Sequence, residues 1–138
     1  MKVLSFNFDK ICIERFLPSL KDLKINNKLD IKEIVEAQAD FLNTQDKVLG
    51  IKFSFFLEYG PDVAKIELNG MVALAVPEST SEEVLDKWKT KEIPSEFKTS
   101  LFNFLFRKVG LRALELEEEF GLPPHIPFPV FKKTEDSK

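Results

Sequence analysis

Pro77 divides this sequence into two hydrophobic rhythms, and that change of rhythm restricts the possible folds more than any other feature. Up to Val76, apolar residues recur at every second position, the period of a strand packed on one face. Beyond Pro77 they recur about every four, the period of a helix with one buried stripe. Strands gathered in the first part and helices in the second point to an α+β fold with an antiparallel sheet. Alternating βαβ units would interleave the two rhythms instead.

Four strands are expected. The first runs from Val3 towards Phe16, with Leu4, Phe6 and Phe8 on one face. Ile11 and Ile13 continue in the opposite phase, and a bulge near Asp9 would reconcile the two halves before Pro18 ends the strand. The second covers Leu29 to Leu42, with Leu29, Ile31, Val35, Ala37, Ala39 and Phe41 facing inwards. In the third, Leu49, Ile51, Phe53, Phe55 and Leu57 alternate with mostly polar residues, Phe56 being the exception on the wet side. Tyr59-Gly60-Pro61-Asp62 then reads as a turn. The fourth, Val63 to Val76, contains Asn69-Gly70, a pair that often closes a hairpin. Ala64, Ile66, Leu68, Val72, Leu74 and Val76 hold one phase straight through it, so one long strand with a glycine kink is expected.

After Pro77, Ser79-Thr80-Ser81-Glu82-Glu83 offers overlapping capping boxes for a short helix reaching about Lys89. Pro94 suits the first turn of a longer helix. Its stripe is Phe97, Leu101, Leu105, Val109, Ala113, Leu116 or Glu117, and Phe120, with Gly121 placed to cap it. Ile126-Pro127-Phe128-Pro129-Val130-Phe131 is too rich in proline for a helix or central strand. An extended arm docking its Phe side chains on the protein is the simplest expectation. One domain over 1–131 and a disordered tail over 132–138 complete the reading.

Composition excludes more than it assigns. The 138 residues suffice for one core. Against 20 Lys+Arg stand 23 Asp+Glu, a net charge of −3, with no basic stripe to neutralise phosphates. The N-terminus has no signal-peptide pattern, and a lone cysteine suits a reducing interior, so a soluble cytoplasmic protein is expected. Cys12 has no metal-ligand or catalytic partner nearby and reads as a small buried residue. His125, between Pro124 and Ile126, reads as structural or solvated. The cluster Glu115, Glu117, Glu118 and Glu119 points around a helix and reads as a solvated face. No reaction centre, metal or cofactor is expected. The unusual number is 14 Phe beside one Tyr and one Trp. Phe has no polar handle, so a surplus this large must meet a partner subunit or line an apolar groove.

The order of elements resembles the SecB family of export chaperones. The resemblance extends over about Val3 to Phe131. It takes in Lys28-Leu29-Asp30-Ile31, the glycine-bearing strand Glu67-Leu68-Asn69-Gly70-Met71-Val72, the long helix, and above all Phe120-Gly121-Leu122-Pro123 leading to Ile126-Pro127-Phe128-Pro129-Val130-Phe131. It implies a homotetramer, a dimer of dimers, that holds unfolded or precursor polypeptides in apolar grooves without ATP. By position, peptide binding falls to Phe16, Leu17, Leu20, Trp88, Phe97, Phe128 and Phe131. Subunit packing falls to Leu101, Phe102, Leu105 and Phe106. The family docks an export motor through an acidic outer sheet surface. Here Lys32, Lys52 and Lys65 are mixed with Glu36, Asp40, Glu58 and Glu67. General holdase duty, or guarding a toxin–antitoxin pair, is equally compatible. The alternatives are an oligomeric assembly protein without holdase activity and a small apolar-ligand carrier.

Overall fold

The computed structural model describes residues 1–16, 22–37 and 45–132. Four antiparallel strands, β1 (Lys2–Arg15), β2 (Lys24–Ala37), β3 (Lys47–Gly60) and β4 (Ala64–Val76), precede α1 (Glu78–Trp88) and α2 (Ser95–Glu119). The strands lie in the order β1-β4-β3-β2, so β1 and β2 form the two edges. The fold is therefore α+β with a four-stranded antiparallel sheet, as the two rhythms require.

Three bulges set which residues face the core. Asp9 is the extra residue between Phe8, paired with Gly70, and Lys10, paired with Asn69. That shift keeps Phe6, Phe8 and Ile13 on the core side despite the change of sequence phase. A second bulge at Leu4 brings Val3 to the same side. The third corrects the expectation for β2. Ile31 pairs with Phe53 and Glu33 with Lys52, leaving Lys32 as the extra residue. A one-residue slip exchanges the two faces of a strand. Ile34 consequently joins the core, while Val35 is 45% exposed and Ala37 also faces solvent. The strand also begins at Lys24, and its expected continuation through Ala39, Phe41 and Leu42 lies outside the described residues.

β4 is a single uninterrupted strand, and Asn69-Gly70 makes no hairpin. Gly70 pairs with Phe8 on one side and Phe53 on the other. A side chain there would collide with the Asn7 carbonyl and come within 2.8 Å of the Phe53 ring. The missing Cβ leaves a slot for aromatic rings: Phe6 stacks on Phe53 at 5.5 Å and meets Phe8 edge-on at 5.1 Å. Phe104 of α2 closes on Phe6 from above, also edge-on at 5.8 Å. Such offset and edge-to-face pairs are the favoured aromatic geometries.

α2 lays Phe97, Leu101, Leu105, Val109, Ala113 and Leu116 on the inner sheet face, where Ile51, Phe53, Phe55, Leu57, Ile66, Leu68 and Val72 are almost wholly enclosed. The outer face stays wet. α1 begins one residue ahead of its serines: Pro77 is the N-cap and accepts the Ser81 N–H at 3.0 Å. Neither expected capping box forms, and Ser81 is buried instead. Pro94 likewise precedes the first turn of α2 as its N-cap. Gly121 ends α2 at φ +64°, with its N–H on the Glu118 carbonyl and the Leu122 N–H on the Glu117 carbonyl. This double bond is a Schellman cap, which needs the left-handed conformation that glycine adopts without cost.

Gly70→Ala should destabilise the protein by about 2–3 kcal/mol, because the aromatic slot closes onto rigid backbone. The check is a lowered urea midpoint at unchanged slope; an unaltered midpoint would show that the slot can yield.

Candidate functional site

The C-terminal arm, residues 122–132, leaves α2 under tight control. Glu117, 1% exposed, projects from the last turn of α2. It accepts the His125 backbone N–H at Oε1, 2.9 Å away, while Oε2 lies 2.7 Å from His125 Nδ1. The imidazole, 4% exposed, lies against Phe55 and beside Gly110. Tyr59, fully buried at the end of β3, donates its hydroxyl to the Pro123 carbonyl at 2.5 Å. Burial, reinforced by the nearby Glu117 carboxylate, holds the Tyr59 phenol well above its usual range. Arg15 donates to the carbonyls of Phe120 and Gly121 at 2.6 and 3.1 Å, fixing the helix end to β1. Contrary to the expectation of a solvated acidic face, Glu117 is therefore enclosed. Glu115, Glu118 and Glu119 are exposed, as expected of a solvated face, and no group that could hold a metal occurs among the described residues.

Past His125 the arm has no such hold. Ile126 is 43% exposed, Phe128 56%, Val130 73% and Phe131 95%. The expected docking of the arm's Phe side chains on the same protomer does not occur. Pro127 and Pro129 carry no backbone N–H, which limits the hydrogen bonds this segment can make.

A second feature lies at the β2 edge, where α1 turns into α2. Leu29 and Ile31 of β2, Trp88 at the end of α1, Ile93, and Phe102 of α2 border an open groove of about 660 Å³. Its rim is charged: Lys91 Nζ sits 4.6 Å from the centre of the Trp88 ring, and Lys98 Nζ 5.4 Å from that of Phe102. Among the described strands β2 hydrogen-bonds only β3, so the groove runs beside a strand edge without a ladder partner. Such an edge can accept an added strand.

The residues expected to bind peptide are spread over the molecule. Trp88 borders the groove. Phe16, 49% exposed, follows the opposite edge strand, with its N–H on the Val63 carbonyl at 2.7 Å. Phe97 is 7% exposed and belongs to the core, showing only an edge to a cleft beside Met1 and Pro94. Phe128 and Phe131 stand exposed on the arm. Leu17 and Leu20 lie outside the described residues, as do 133–138 of the expected tail. The expected subunit-packing set divides by helical phase. Leu101 and Leu105 are fully enclosed in the protomer, whereas Phe102 is partly buried against the core and Phe106 is 42% exposed, their rings 6.1 Å apart. Leu29, Ile31 and Ile93 were not anticipated as groove residues, since nothing local to them reveals that α1 and β2 converge. Cys12 is only half-buried, on the wet side of β1 opposite Glu67. There Glu67 accepts the Asn69 amide at 2.7 Å and pairs with Lys10 at 3.3 Å, interactions that lower its pKa.

No protein-family model matches the sequence, and no curated protein matches it either. Among solved structures the chain is similar to a Mycobacterium tuberculosis SecB-like chaperone in complex with a ChAD peptide from the HigA1 antitoxin. The likeness covers 95% of this chain and 87% of that one, with a TM-score of 0.52 and 10% identity. The fold is SecB-like. The observed order of four antiparallel strands and two helices matches this SecB-like architecture. No helix among the described residues is long and apolar enough to cross a membrane.

Glu117→Ala should cost about 2–4 kcal/mol, because it strands two buried donors of His125. Limited proteolysis should then cut within 123–132 faster than in the parent, and an unchanged cleavage rate would remove Glu117 from its anchoring role. The raised Tyr59 pKa gives a second expectation. Between the unfolded phenol's pKa, about 10, and the higher folded value, the unfolded chain loses a proton that the folded chain keeps. The Tyr59 contribution is therefore intact below about pH 10 and declines as pH rises further. Tyr59→Phe should flatten this part of the stability curve while losing about 1 kcal/mol at neutral pH.

Proposed function

We propose that this protein is an ATP-independent holdase that binds extended segments of unfolded polypeptides. The observation that carries the reading is the aromatic groove beside the open edge of β2, on a SecB-like fold. An added strand would take main-chain hydrogen bonds from the edge and lay alternate apolar side chains towards Trp88 and Phe102. The peptide bound by the Mycobacterium tuberculosis neighbour supports polypeptide as the ligand class. The exposed Phe128 and Phe131 of the arm supply further apolar surface to a client. Such a role is non-catalytic, needs no cofactor and belongs to the cytoplasm, where chains await folding or export.

A second reading draws on Phe106, Leu111 and Val130, which are 42%, 58% and 73% exposed. In it these residues serve to join copies of the chain, as a dimer or tetramer. The two readings separate by experiment. As a holdase, the protein at near-stoichiometric ratio slows aggregation of a denatured client, and Trp88→Ala or Phe102→Ala raises the amount required by about fivefold or more. Unaltered client aggregation defeats this reading. If the surface serves assembly alone, light scattering gives a multiple of 15.9 kDa that Phe106→Asp reduces, and no unfolded peptide binds.

A further inference from the structure

The β2-edge groove carries a charge pattern that an apolar binding surface does not need. Three lysines, Lys32, Lys91 and Lys98, border it against two carboxylates, Asp30 and Glu92. Asp30 is already engaged, with Lys28 at 3.6 Å and Lys32 at 3.8 Å. The ammonium groups of Lys91 and Lys98 lie over the rings that a client's apolar side chain must approach. Lys91 is held there at some cost. It occupies the turn after α1 at φ +61°, with its N–H on the Trp88 carbonyl at 2.8 Å. Glycine is the residue that takes this left-handed conformation freely. A lysine in that place aims a cation at the groove where the backbone alone would favour glycine.

A peptide settling on the groove takes both ammonium groups partly out of water. A buried cation without a counter-charge is costly, and a second cation beside it is worse. A carboxylate from the peptide meets both difficulties: it pairs with Lys91 or Lys98 and leaves the rings to the apolar neighbour. We propose that the groove selects extended segments in which an aromatic or aliphatic side chain is flanked by Asp or Glu, with Lys91 and Lys98 as the specificity-determining residues. This selectivity rests on the holdase reading and adds the chemistry of its client.

The molecule supplies its own probe, since Trp88 is the single tryptophan and borders the groove. Twelve-residue peptides free of Trp and Tyr, with one Phe-Leu-Phe centre and Asp, Ser or Lys flanks, are titrated against Trp88 emission, with calorimetry in parallel. Asp-flanked peptide should bind about three- to tenfold tighter than Lys-flanked peptide at low salt, and the ratio should shrink in 0.5 M salt, as charge pairing at a half-exposed site requires. The double variant Lys91→Glu/Lys98→Glu should invert the order. Lys91→Gly should keep or raise the unfolding midpoint while lowering the Asp-over-Lys ratio, an outcome that a purely structural lysine would not give. Equal binding of all three peptides, or a preference for Lys flanks, overturns the charge selectivity and leaves the holdase reading standing. Binding of none of them overturns both.

Discussion

A four-stranded sheet offers one face to one long helix, and that contact is the main apolar surface this chain can bury by itself. The inner rows of β3 and β4 and the stripe from Phe97 to Leu116 fill the space between the two layers, and the slot over Gly70 takes up the aromatic rings of β1. Only Phe53, Phe55 and Phe97 among the described phenylalanines fall in the buried class; Phe16, Phe56, Phe106, Phe120, Phe128 and Phe131 remain on the surface. In so small a domain the interior is limited relative to the surface. The excess aromatic area is therefore left where another chain can reach it.

The arm shows how the same chain combines rigid and open surface. Buried polar groups are tolerated when each finds a partner, and Glu117, His125, Tyr59 and Pro123 satisfy one another in this way. The cluster ties the start of the arm to α2 and β3, while Phe128, Val130 and Phe131 stay uncovered. At the other side of the sheet, the edge of β2 has no ladder partner among the described strands, and Trp88 and Phe102 border the groove beside it. Lys32, Lys91 and Lys98 place charge beside this edge.

Much of the fold was legible because its signals are local. The unbroken phase of Ala64 to Val76 outweighed the hairpin tendency of Asn69-Gly70, and the reversal of phase after Phe8 announced the bulge at Asp9. Gly121 followed from the end of a helical stripe. The bulge at Lys32 left no such trace, because Ile31, Ile34 and Val35 allow either phase and only pairing with β3 decides between them. The start of α1 was misplaced because Pro77 takes the N-cap position, which puts Ser79 and Thr80 inside the first turn, where their side chains cannot cap. Less of the candidate site was visible. Trp88 stood out by its type, whereas Ile93, Lys91 and Lys98 acquire meaning only where α1, α2 and β2 meet.

The amino-acid sequence alone determined the number and kind of elements, the antiparallel sheet and the surplus of Phe, because periodicity and composition belong to neighbours along the chain. Tertiary structure decided which Phe lie in the core and which face outwards, that Leu101 and Leu105 serve the protomer, and that a glutamate in an acidic run is the buried anchor of the arm. Burial depends on what arrives from distant parts of the chain, such as Tyr59 and Pro123 beside Glu117, and no local pattern records those arrivals.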